Sequence, residues 1–172
     1  MRILFLLSWL LLGCEEEVPY ELWIDNECYP INALIYDKVN EFNLWVSYYT
    51  GEELIEIQGK DKVDHEWILS IDGLDPNIGR DFLVCFYQEF ASYDTDYPGL
   101  VGWGIPKGNI FLFLWKLDDD KEIGIFILHE LGHYIGLNHL AAGKVGIMSA
   151  SLSTDTFTQN DVDELCQHYK CK

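Results

Sequence analysis

The sequence predicts a single α+β domain. Three observations carry that reading. The chain has 172 residues, room for one domain of ordinary size. Hydrophobic residues make up 49% of it and aromatics 15%, enough for a packed core and too much for wholesale disorder. Short apolar or alternating runs of strand length are interleaved with three longer stretches of helical period, and no internal repeat appears.

The charge balance narrows the function classes. Lys and Arg total 11 against 29 Asp and Glu, a net charge of -18. A chain this acidic repels phosphate backbones, so nucleic acid is not an expected partner. Metal cations are attracted rather than repelled.

Taken in order, Met1-Arg2 and the apolar run Ile3 to Leu12 have the form of a secretory signal. The run is too short to span a bilayer, which needs roughly 20 apolar residues. Leu11-Leu12-Gly13-Cys14 closes it and resembles a bacterial lipobox, where the signal is cut before a Cys that takes lipid. An ordinary signal with an incidental Cys is the plainer alternative. Glu15-Glu16-Glu17 reads as a solvated spacer or, by resemblance to surface lipoproteins, as a sorting signal. The organisation expected is a lipoprotein signal over 1–13, an acidic tether over 14–19 and one folded domain over 20–172.

Val18 to Glu27 reads as a strand, with Tyr20, Leu22 and Ile24 alternating and Trp23 breaking the pattern. Pro30 can open a helix, along which Ile31, Leu34, Ile35, Val39, Phe42, Trp45, Val46 and Tyr49 recur at three and four until Gly51 ends it. Strands are expected at Glu66 to Asp72, Phe82 to Phe90, Leu100 to Ile105 and Ile110 to Leu117, the third interrupted by glycines that let another backbone approach. Asp118-Asp119-Asp120 starts a second helix, running to Leu137. Thr158 to Tyr169 is a third.

That second helix holds the chemistry. His129 and His133 are four apart and share one helix face, so both rings can meet one Zn²⁺. Glu130 adjoins the first His. Gly136 can take the left-handed conformation that ends the helix and brings His139 round as a third ligand. Three protein ligands and an open fourth position form the catalytic pattern rather than the structural one. A chance match to all five positions in a chain of this length is on the order of one in 10⁵.

His129-Glu130-Leu131-Gly132-His133-Tyr134-Ile135-Gly136-Leu137-Asn138-His139 resembles the HExxHxxGxxH signature of the metzincin zinc peptidases. Gly146-Ile147-Met148-Ser149 looks like their Met-turn. The segments Pro98 to Pro106 and Phe157 to Tyr169 are similar to the edge strand and closing helix of the matrixin subgroup, so the likeness covers about residues 98–169.

The resemblance implies a metzincin-like zincin fold: a twisted mixed five-stranded sheet, a long amino-terminal helix, an active-site helix and a carboxyl-terminal helix. It implies a zinc endopeptidase with one catalytic Zn²⁺ on His129, His133 and His139. Glu130 is then the general base, and Met148 the Met-turn residue. Substrate would pair along Leu100, Val101 and Gly102, with Ile125 lining the main specificity pocket. The partner expected is a peptide or protein substrate, the membrane is touched only through lipid on Cys14, and a monomer is expected. A Ca²⁺ site at Asp94 and Asp96 has only analogy behind it.

The sequence also departs from the subgroup. Gly102 and Phe111 stand where two ligands of a structural zinc would be, so none is expected. Leu140 follows the third His in place of Ser, and no Tyr stands two positions after Met148. Metzincins of another subgroup, and a catalytically silent zinc-containing surface-binding lipoprotein, remain rival readings. Cys28, Cys85, Cys166 and Cys171 are even in number in an exported chain and predict disulfides, with 3 connectivities open. A pair between Cys166 and Cys171 requires the last helix to end between them.

Overall fold

The computed structural model describes residues 19–63, 65, 80–87, 102–106, 108–151 and 154–172. The lipobox with Cys14, the strand expected over 66–72, Asp94 and Asp96, and Leu100 and Val101 lie outside the described residues.

The fold is α+β. Strands β1 (Tyr20–Asp25), β2 (Ile55–Asp61), β3 (Asp81–Phe86), β4 (Gly102–Gly104) and β5 (Ile110–Phe113) form one sheet in the order β2-β1-β3-β5-β4. Four of them run parallel, while the short β4 lies antiparallel to β5 at one edge. Helices α1 (Asn32–Thr50), α2 (Asp120–Tyr134) and α3 (Gln159–His168) accompany the sheet.

Both sheet faces are covered, which explains the apolar runs. Leu22, Ile24, Leu83, Cys85, Ile110 and Leu112 face the main core with α1 and α2. Phe82, Val84, Phe86, Phe111 and Phe113 form a second cluster on the other face. Trp23 packs against that second cluster, so it breaks a one-sided alternation because the strand has two buried sides.

Three expectations need correction. The second strand is β2 at Ile55–Asp61, a segment the sequence reading assigned to no element. It lies at the sheet edge and only Ile55 is buried, so its apolar signal is confined to one end. The strand expected over 110–117 stops at Phe113, and Leu114–Lys116 turn into a short 3-10 helix. The first helix is a 3-10 turn over Asn26–Ile31 that holds Pro30, and α-helical geometry begins only at Asn32.

Two disulfides settle the cysteine pairing. Cys28 joins Cys85, which ties the turn after β1 to β3, and Cys166 joins Cys171 across the end of α3. They point to an oxidising, extracytoplasmic environment. Among the described residues no helix is long and apolar enough to cross a membrane.

Candidate metal centre

Helix α2 begins with a strong local signal. The Asp119 side chain accepts the Glu122 amide at 2.8 Å, and Glu122 reaches back to the Asp118 amide at 2.9 Å. One loose amide of the first turn is thereby satisfied, and acidic groups sit at the positive end of the helix. Ile123, Ile127, Leu128, Leu131 and Tyr134 hold the helix in the core. Tyr134 donates to Asp81 Oδ2 at 2.9 Å, and its hydroxyl lies 3.2 Å from the Glu21 carbonyl, so the helix end is pinned to the starts of β3 and β1. His129 and His133 are placed by this rigid element.

Gly136 then turns the chain with φ 94°, a conformation most side chains avoid. That turn returns His139 to the other two imidazoles. The three Nε2 atoms form a nearly equilateral triangle: 3.1 Å from His129 to His133, 3.2 Å from His129 to His139 and 3.1 Å from His133 to His139. Among the described residues they are the group that could hold a metal ion.

The outer nitrogens decide what the triangle can bind. His129 Nδ1 donates to the Ile147 carbonyl at 2.6 Å, and His133 Nδ1 to the Leu137 carbonyl at 2.9 Å. A carbonyl only accepts, so those nitrogens carry the hydrogens and each neutral ring turns a bare Nε2 lone pair inward. Lone pairs this close repel unless a cation lies between them. A proton is poorly suited to that place. Burial pushes the His129 imidazole down to about 4, and burial lowers His133 as well. A tetrahedral ion with bonds of about 2.0–2.1 Å needs donor nitrogens about 3.3–3.4 Å apart, close to the spacing observed.

No family model matches the chain, and no curated protein is significantly similar to it. The donor set itself therefore carries the assignment of a metal-competent site.

The Glu130 side chain lies against the edge strand β4. It is 3% exposed, and its Oε2 has no hydrogen-bond partner among the described residues. Burial pushes its carboxyl up to about 8, although the Gly104 amide pulls the other way. Strand β4 can lie this close only because of its glycines. A Cβ at Gly102 would stand 2.8 Å from Glu130 Oε1, and one at Gly104 would stand 2.6 Å from the Glu130 carbonyl oxygen and 3.0 Å from His133 Cβ. The close approach expected of this strand is present, and its partner is the glutamate beside the first His.

Met148 is fully buried. A Cβ at Gly132 would meet its sulfur at 2.3 Å, so the methionine fills a notch in α2 between His129 and His133. Ile125 is half-buried against the main core. The place of Leu100 and Val101 relative to the triangle lies outside the described residues.

Asp161 was missed as a site residue, although Thr158-x-x-Asp161 is a legible helix-start pattern. Its side chain is wholly buried and accepts from the Ile147 amide at 3.1 Å, the Met148 amide at 2.9 Å, the Thr158 amide at 2.7 Å and the Thr158 hydroxyl at 3.0 Å. A Cβ at Gly146 would stand 2.5 Å from it, so that glycine makes room for the carboxylate. One residue thus completes the capping box that Thr158 opens on α3 and holds the turn whose carbonyl orients His129.

Proposed function

We propose that the chain is a zinc-dependent endopeptidase acting on extracytoplasmic proteins. The observation that carries the reading is the inward-facing triangle of three imidazoles with a buried, incompletely bonded glutamate one residue along the same helix. Neutral imidazoles suit zinc, and three of them leave a coordination position open. When bound there, zinc would lower the pKa of water towards about 7 and polarise a carbonyl.

The residues supply the rest. His129, His133 and His139 would hold the ion, and the carbonyls of Ile147 and Leu137 fix the first two rings. Glu130 takes a proton from water and returns it to the leaving amine. A positive charge at the triangle draws its carboxyl down from the raised value of the metal-free protein, toward the ionised form that a base requires. The edge strand β4 would accept an extended peptide through backbone hydrogen bonds. The HExxHxxGxxH pattern, the Met148 turn and the antiparallel edge strand beside α2 support a metzincin-like, matrixin-like relationship.

Export rests on the two disulfides and the leader, and Leu11-Leu12-Gly13-Cys14 supports lipid attachment at Cys14 on a bacterial membrane. Cys14→Ser should then release the protein from membranes, and a wild type without lipid by mass spectrometry would remove the anchor from the reading.

The deciding experiment measures zinc content and peptide hydrolysis on wild type, Glu130→Gln and His133→Ala. Glu130→Gln should keep about one zinc per chain and lose about 10²–10⁴-fold in hydrolysis. His133→Ala should lose zinc and activity together. A wild type that holds zinc and cleaves nothing in a broad peptide library is a binding protein instead.

A further inference from the structure

The three imidazoles are not held alike. His129 and His133 each have an Nδ1 fixed by a backbone carbonyl. For His139 the only hydrogen-bond-distance neighbours of the ring among the described residues are the two facing imidazoles. It is also the exposed member of the three. Its presentation must come from the backbone on either side of it.

On the far side, the Leu140 amide donates to the Met148 carbonyl at 2.9 Å. On the near side, two side chains of α3 reach Asn138: His168 Nε2 lies 3.2 Å from its side-chain nitrogen, and Glu164 takes both of its amides. Glu164 Oε1 accepts the Asn138 backbone amide at 3.1 Å and the Asn138 side-chain amide, also at 3.1 Å. Two donors from one residue converging on one carboxylate oxygen fix both the backbone and the rotamer of that residue. His168 Nε2 lies 3.2 Å from the same oxygen, one helical turn further along α3. The Gln167 side-chain amide reaches the other oxygen at 3.4 Å. The carboxylate therefore stays in place on its own helix and grips a residue 26 positions earlier in the chain.

We propose that Glu164 is a positioning residue for the third imidazole: by holding Asn138 to α3 it sets where His139 Nε2 stands, and so sets the affinity of the triangle for its metal ion. This rests on the zinc reading above and adds to it a residue outside the HExxHxxGxxH pattern. It also divides the work within α3, where Asp161 holds the turn behind His129 and Glu164 holds the segment before His139.

The test is zinc affinity by chelator competition, with the melting temperature of the metal-free protein measured alongside. Glu164→Ala should weaken zinc about 10-fold or more, the range seen when outer-shell partners of a metal ligand are removed. Metal-free melting should change little, because water can reach Asn138 once the carboxylate is gone. Glu164→Gln keeps a carbonyl oxygen for both Asn138 donors and should recover most of the affinity. Asp163→Ala, which loses only the Gln159 contact, should match wild type. A Glu164→Ala protein that binds zinc within twofold of wild type overturns the inference and leaves the zinc site standing. So does a fall in affinity matched by Asp163→Ala. A wild type with no affinity for zinc overturns the site and this inference with it.

Discussion

His129 donates its Nδ1 hydrogen to the carbonyl of Ile147, 18 residues later, at 2.6 Å. That carbonyl is held in turn, because Asp161 grips the amides of Ile147 and Met148 from behind. The imidazole is thus oriented by a turn, and the turn by a carboxylate at the start of α3.

Asp161→Ala should be among the most damaging single changes in the chain. It strands the amides of Ile147, Met148 and Thr158 around a fully buried position and removes one half of the capping box of α3. Each buried donor left unsatisfied costs about 1–3 kcal/mol, so a loss of roughly 3 kcal/mol or more is expected even after water relieves some of them. Urea unfolding of the metal-free protein measures it. A loss under about 1 kcal/mol would mean that the turn holds itself.

The two glycines of β4 should differ. Gly104→Ala drives a methyl group into the Glu130 backbone, which cannot move without α2, and overpacking of that kind costs about 1–3 kcal/mol. Gly102→Ala meets only the Glu130 side chain, which can give more readily than helix backbone, so it should cost less. Melting of both variants tests the order, and equal losses would contradict the close backbone approach.

Asp81 makes stability depend on pH. Burial holds its carboxyl above the ordinary value of 3.8, and the Tyr134 hydroxyl offsets only part of that. The folded state binds this proton more tightly than the unfolded chain does. Its contribution is full below the unfolded pKa and is lost as pH rises through the higher folded value. Asp81→Asn stays neutral and still accepts from Tyr134. Relative to wild type it should gain stability between acid and neutral pH, as measured by urea unfolding at both. A difference that stays flat would count against a raised carboxyl.

The disulfides should be unequal. Cys28 and Cys85 are 57 residues apart and Cys166 and Cys171 only 5, so on loop entropy the first contributes about 4 kcal/mol and the second about 2 kcal/mol. Paired Cys→Ala variants and unfolding curves compare them. Thiol reagents should find neither pair reactive before reduction, and labelling of Cys28 in the native protein would contradict the pairing.

Much of this was legible in the sequence where one physical cause dominates. The spacing of His129, His133 and Gly136 brings His139 back because helix geometry and one left-handed residue leave little choice. The periodicity of α1 and α2 likewise reflects burial against a single core. The strand Ile55–Asp61 was hidden because an edge strand buries little and shows little pattern. The end of β5 at Phe113 was hidden for the opposite reason, since Leu114 stays buried after the backbone leaves the sheet. Asp161 and Glu164 could not be assigned from sequence. Their roles come from which segments α3 packs against, and local spacing carries no record of that.

The interior place of β1 in the sheet has a mechanical consequence. The strand begins at Tyr20, whose amide donates to Leu54 and whose hydroxyl meets that of Tyr169 at 3.0 Å. Tension reaching the chain from its amino-terminal side enters there, along a strand paired on both flanks by parallel neighbours. A pull along its axis shears those hydrogen bonds together instead of unzipping them in turn. What passes Asp25 arrives at Cys28 and crosses the covalent link into β3. The load is spread over three strands on the far side of the sheet from β4, so the edge strand facing Glu130 stays out of the path of force.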